Sequence, residues 1–160
     1  NGVDIVIDRK KKLSKDGVGI VEVIKNSIEY LENLDLKIRY VCCIFPASPL
    51  IKHANIVKGH KKILSKKYDF VFVAKKINSK NQKIFVLKND KIKKFENSNK
   101  TSVNFATDAG QFYWGSKSSW MKHKTTFTKK TSFIALEDFK AQDINTYYDW
   151  DLSKILFKLK

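Results

Sequence analysis

Tyr40-Val41-Cys42-Cys43-Ile44-Phe45, closed by Pro46 and Pro49, is an unbroken apolar run with no polar alternation. A run this short and continuous fits a strand covered on both faces, because a strand with one wet face would alternate and a core helix would be longer. We read it as a central parallel strand. Working outward, Asp69-Phe70-Val71-Phe72-Val73-Ala74 is a second run of the same kind. Between them Ile56, Val57, His60, Ile63 and Leu64 recur at helical spacing, so the segment predicts a strand, a helix and a parallel strand. Upstream, Val21, Ile24, Ile28 and Leu31 mark one face of a helix over 18–33, which Ser14 or Asp16 is placed to cap.

Downstream the pattern changes. From Gln82 to Phe95 the residues alternate around Asn89-Asp90, which predicts an antiparallel excursion from the main sheet. The polar stretch from Asn97 to Thr107 reads as a loop, Gly110 to Trp114 as a strand, Ser118 to His123 as a short helix and Ser132 to Leu136 as a strand. A last helix starts near Thr146, where Thr146 and Asp149 have capping-box spacing, with Tyr148, Leu152, Ile155, Leu156 and Leu159 turned inward. The fold class that follows is α/β, with a mostly parallel, doubly wound sheet, in which ligands bind beyond the carboxyl ends of the strands. The 160 residues suffice for one core of ordinary size, so 1–160 is expected to be a single domain.

A formal charge of +16 would ordinarily point to nucleic acid or an acidic membrane. Arg9 and Arg39, however, are the only arginines among 32 basic residues, whereas nucleic-acid readers lean on Arg for bidentate and stacked contacts. The lysines are scattered from Lys10 to Lys160 without a basic helix, and we expect no nucleic-acid partner. No run approaches a membrane span, and Asn1-Gly2-Val3-Asp4 is neither a signal peptide nor a Met start. A soluble, cytoplasmic chain truncated at its front is expected. Cys42 and Cys43 are neighbours on a strand, point to opposite faces, and so neither bond each other nor share a metal. His53, His60 and His123 have no second donor at ligand spacing.

Two segments are unusual: Thr107-Asp108-Ala109-Gly110-Gln111-Phe112-Tyr113-Trp114-Gly115, and Gln142-Asp143-Ile144-Asn145-Thr146 followed by Asp149-Trp150. The first resembles the HDAGQFYWG block of pseudaminic acid cytidylyltransferases, and the second their QDIDT-x-x-DW block. Arg9, Leu13-Ser14 and Asp16 resemble the family's LRP-x-x-LS-x-D segment, Tyr40 to Leu50 its YVCCIYPTAPF strand, and Asp69 to Phe72 its DFVF. The resemblance covers essentially the whole chain. It implies a nucleotidyltransferase sheet of Rossmann-like or GT-A-like type and a CTP-dependent enzyme that joins CMP to the anomeric hydroxyl of a nonulosonic acid with Mg²⁺ assisting. It also implies a homodimer, for which 80–107 is the candidate arm. The family's Gly-rich PARGGSKR segment, which grips CTP, is not found in these residues, so the isolated 160-residue chain is expected not to turn over CTP.

On this resemblance Asp143 is the catalytic residue and, with Asn145, the metal ligand, since a hard cation among phosphate oxygens wants carboxylates on one side of an extended chain. Taken without it, Asn145 or Thr146 caps the last helix and Asp143 lies near its positive end. Asp108 and Gln111 are implied to line the sugar pocket, with Ser48, Gln82, Lys83 and Gln142 as further substrate contacts; read alone, Asp108 is a loop carboxylate and Gln111 a sheet residue. Several positions depart from the family. Asn145 stands where it has Asp, Thr107 where it has His, Asn97 to Lys100 lack the Arg of its NTRSQ loop, and Lys83 replaces an Arg without its bidentate geometry. Another nonulosonic acid (sialic or legionaminic), or a degenerate homologue without catalysis, are the alternatives these departures leave.

Overall fold

The computed structural model describes residues 2–77, 85–88, 91–94, 105–137 and 140–159. After a 3-10 turn at Lys11–Leu13 come α1 (Ile20–Glu32), β1 (Tyr40–Ile44), α2 (His53–Leu64) and β2 (Phe70–Ile77). Then follow β3 (Phe85–Lys88), β4 (Lys91–Lys94), β5 (Phe105–Ser116), α3 (Lys117–Lys122), β6 (Thr131–Leu136) and α4 (Tyr147–Lys158). The expected elements are present, and the order in which strands meet is where the sequence reading needs correction.

The main sheet runs β1-β5-β2-β6. β2 and β6 are parallel, but β5 lies between β1 and β2 and is antiparallel to both. The sheet is therefore mixed, not mostly parallel. β1 is an edge strand among the described residues, not a central one, and β1, α2 and β2 form no adjacent parallel pair. An apolar run reports burial and carries no information on strand direction, which is why the reading failed there. β5 also begins at Phe105, inside the stretch read as a loop. The excursion is present as β3 and β4, an antiparallel pair in a sheet of its own with Phe85 opposite Lys94 and Lys88 opposite Lys91. Its turn at Asn89-Asp90 and most of the 80–107 arm lie outside the described residues.

The sheet carries helices on both faces. On one, Phe70 and Tyr113 pack with Val21, Ile24 and Ile28 of α1 and with the fully buried Trp120 of α3. On the other, Val73, Ala109, Phe112, Leu136 and Ala141 form a second cluster that includes Ile56 of α2. Cys43 joins the first cluster and Cys42 the second, as strand alternation requires; both are free thiols. Burial, with the neighbouring Cys43, pushes the Cys42 thiol up to about 12, and burial raises Cys43 as well against a lowering by Arg9.

Close approach of α3 to the sheet depends on Gly115, where an added Cβ would stand 2.7 Å from Trp120 Nε1 and 2.9 Å from the Phe70 ring. We expect Gly115→Ala to cost about 1–3 kcal/mol, the scale of overpacking in a filled core. Urea denaturation checks this, and an unchanged midpoint would show that Trp120 moves aside freely.

Two helix expectations need correcting. The N-cap of α1 is Gly19, with no side-chain cap, rather than Ser14 or Asp16, because the helix starts two residues later than its apolar periodicity implies. In α4 only Ser153 is buried, while Tyr148, Ile155 and Leu159 are exposed, Tyr148 and Leu159 by about three quarters. Periodicity gives a helix an apolar side but does not say that the described residues cover it. No helix among the described residues is long and apolar enough to cross a membrane.

Candidate functional site

The site is built around an irregularity in β5. Phe72 pairs with Tyr113 and Ala74 with Asp108, so the four residues Ala109 to Phe112 stand opposite Val73 alone. Bulging of this size needs a residue that tolerates a left-handed backbone, and Gly110 supplies it with φ +59°. The bulge folds β5 back locally. Gly110 N donates to Asp108 Oδ1 at 3.0 Å, and the Tyr113 hydroxyl, five residues away, donates to Asp108 Oδ2. Both carboxylate oxygens of Asp108 are thus held by donors from its own strand. Burial, then the bond and charge of Asp108, raise the Tyr113 phenol above its ordinary range, so it stays a hydrogen-bond donor. Phe72 stacks on the Tyr113 ring at 5.4 Å and Phe127 meets it edge-on at 6.1 Å.

Two other segments reach the bulge. After β1, Phe45 N donates to Gln111 O at 3.0 Å and prolongs the pairing, and the buried Ser48 donates from Oγ to Gly110 O at 3.0 Å. After β6, residues 140–146 bring Asp143 over the bulge so closely that a Cβ on Gly110 would lie 2.2 Å from Asp143 Oδ1. Asn145 Nδ2 donates to Asp143 Oδ2 at 2.9 Å. Asp108, Ser48 and Asp143, from three separate segments, meet around one glycine beyond the carboxyl ends of β1 and β6, with Asn145 bonded to Asp143.

Of the remaining candidates, Gln111 and Gln142 have definite places. Gln111 is 1% exposed and donates from Nε2 to Lys140 O at 3.1 Å, so it faces the interior. Gln142 Nε2 donates to Asp149 Oδ1 at 2.8 Å and to Asp143 O at 2.9 Å, bracing the turn before α4. Gln82 and Lys83 lie outside the described residues. The Tyr113–Asp108 bond and the Gly110–Asp143 contact were not read from sequence; a glycine inside an apolar strand was the available signal of a bulge.

The expected capping box is present: Thr146 Oγ1 accepts from Asp149 N at 3.2 Å, and Asp149 Oδ2 accepts from Thr146 N at 2.8 Å. Oδ2 also accepts from Thr146 Oγ1 at 2.7 Å and from Asn145 N at 3.1 Å. The cap is thus made by Thr146 and Asp149, which leaves Asp143 out of it. These donors, the Thr146 hydroxyl first, hold the Asp149 carboxyl below its ordinary range. A lowered folded-state value stabilises the protein above the ordinary carboxylate range and ceases to do so as pH falls through it. We therefore expect the melting temperatures of wild type and Asp149→Asn to differ at neutral pH and to converge as the pH is lowered into the acid range. A gap that persists at the lowest pH would mean that the charge of Asp149 is not what the cap uses.

Among the described residues no group of three His, Cys, Asp or Glu side chains is placed to hold a metal ion. Asp143 and Asn145 offer one carboxylate and one amide side by side.

No family model matches the chain. The chain is similar to pseudaminic acid cytidylyltransferases of Campylobacter jejuni subsp. jejuni, from serotypes O:2 and O:23/36. In each case it is 27% identical over 157 residues, covering 94% of this chain and 68% of the relative.

Proposed function

We propose that the chain contributes the acceptor and metal side of a cytoplasmic cytidylyltransferase that transfers CMP from CTP to pseudaminic acid, feeding surface-glycan or flagellin glycosylation. The observation that carries the reading is the meeting of Asp108 and Asp143, from the two segments that resemble the family's blocks, and of Ser48, after β1, around Gly110, with Asn145 bonded to Asp143. In the reaction the anomeric oxygen of the sugar bonds to the α-phosphorus, the bond from that phosphorus to the bridging oxygen breaks, and pyrophosphate leaves with the electron pair. The anomeric proton passes to solvent.

The donor set fits Mg²⁺ bound through a nucleotide, since that ion keeps waters and phosphate oxygens and needs few protein ligands. Asp143, with the Asn145 amide turned to present its oxygen, would hold it. The ion would offset negative charge on the α-phosphate as pyrophosphate departs. Asp108 supplies a fixed acceptor for a sugar hydroxyl, because Tyr113 and Gly110 already orient both of its oxygens. Dimerisation through the 80–107 arm belongs to the same proposal and is read by light scattering of the eluted protein.

The full-length gene product, given CTP and Mg²⁺ with pseudaminic, legionaminic or N-acetylneuraminic acid, tests the reading. Release of pyrophosphate and a CMP-sugar by mass spectrometry is expected, with the highest kcat/KM for pseudaminic acid. A higher value for either other sugar would reassign the acceptor. No release above a no-enzyme control with any of the three would remove the enzyme reading and favour a non-catalytic homologue.

A further inference from the structure

We infer that Gln111 is a positioning residue for Asp143: its side chain ties the β5 bulge to residues 140–146 and so fixes the height of the Asp143 carboxylate above Gly110. Its effect on turnover rests on the function proposed for this site, whereas its effect on the position of Asp143 does not.

The case begins with burial. Gln111 is 1% exposed and next to Gly110 at the bulge, yet it is a polar side chain where an apolar one would be cheaper. Its Nε2 donates to Lys140 O at 3.1 Å. The opposite amide orientation would set two acceptors against each other, so the direction of the bond is fixed by the chemistry of the pair. Its Oε1 is buried and, among the described residues, has no partner. A buried amide that leaves an acceptor unmatched costs stability, so this residue is a poor choice for packing alone.

What it holds explains its presence. Three residues beyond Lys140 is Asp143, whose Oδ1 already lies within contact distance of where a Gly110 side chain would be. At the far end of the same short segment the Thr146–Asp149 capping box and the Gln142–Asp149 bond anchor the chain to α4. At the near end Ala141 is buried, and Gln111 provides the polar tie. Asp143 therefore sits on a span fastened at both ends. Losing the Gln111 fastening frees it by fractions of an ångström, which is enough to matter for a reaction that depends on alignment.

Gln111→Met keeps the shape and removes both polar atoms, and it gives predictions that a packing role does not. Amide hydrogen exchange at Asp143 to Thr146 should rise at least about tenfold, while exchange in β2 and β5 away from the bulge stays unchanged. The melting temperature should change little, because removal of the unmatched Oε1 offsets loss of the bond to Lys140 O. In the full-length gene product kcat should fall by about 10- to 100-fold with the KM for CTP unaltered. Unchanged exchange at 143–146, or exchange that rises across the whole sheet with a lowered melting temperature, would overturn the inference. If the variant does not fold, the wild-type protein decides: the Gln111 Nε2 protons should exchange at the rate at which the 140–146 amides open, and much faster exchange would overturn it. Exchange that rises as expected in a protein whose wild type forms no CMP-sugar supports the positioning role and removes only the proposed reaction.

Discussion

Asp143→Asn is expected to lower CMP-sugar formation by about 10²–10³-fold in the full-length gene product, the scale on which losing one electrostatic contact to developing charge acts. Asp143 is an exposed carboxylate that packs over Gly110 and accepts from Asn145 Nδ2. In the reaction proposed above, substituting its charge leaves two amides to face a divalent cation and an α-phosphate, and a neutral pair would offset neither. Asn145→Asp is the reciprocal change: it adds a carboxylate beside the first and should lower the Mg²⁺ concentration needed for half-maximal rate. Both variants change one heavy atom in a partly wet site, so folding is not at stake and thermal melting serves as the control. An Asp143→Asn protein with the wild-type rate and Mg²⁺ dependence would reduce Asp143 to a structural residue and end the proposed chemistry.

The second large effect is expected at Gly110. A Cβ there would lie 2.2 Å from Asp143 Oδ1 and 2.6 Å from its Cγ, at a backbone φ of +59°. Gly110→Ala should therefore cost about 1–3 kcal/mol from backbone strain and crowding together. Because the clash is with Asp143 itself, activity should fall further than stability accounts for. The coupling is testable: an Asp143→Ala background removes the two closest atoms and leaves only the Cβ at 3.2 Å, so the stability cost of Gly110→Ala should shrink toward the strain of the backbone. Equal costs in the two backgrounds would mean that Asp143 swings away freely and is not held over the bulge.

How much of this was legible in the sequence differs by element. The helices at Ile20–Glu32 and His53–Leu64 follow from apolar residues three and four apart, and the buried strands from short apolar runs. Strand direction was not legible, because Phe112-Tyr113-Trp114 would bury equally well running either way. The β5 start at Phe105 was missed because Thr107 and Asp108 are polar, a composition a loop shares with a strand entering a site. In the site, Asp143 and Asp108 were found through their motifs. The neighbours that give them meaning were not, since the Gly110 contact crosses 33 residues of chain and the Gln111 tie 29. The α4 stripe shows the same limit, with its aromatic side exposed among the described residues.

Cys42 and Cys43 offer a further use. They face opposite layers, and burial holds each thiol well above the value at which a cysteine reacts readily at neutral pH. Both are half-buried rather than sealed, so alkylation of each is slowed by the layer that covers it and quickens when that layer loosens. With Cys42→Ser or Cys43→Ser, the remaining thiol becomes a clock for one side of the sheet: Cys42 times the lifting of α2, and Cys43 that of α1 and α3. Comparing the two rates would show, without any substrate or label, which layer gives way first and whether the protein opens as a single cooperative unit.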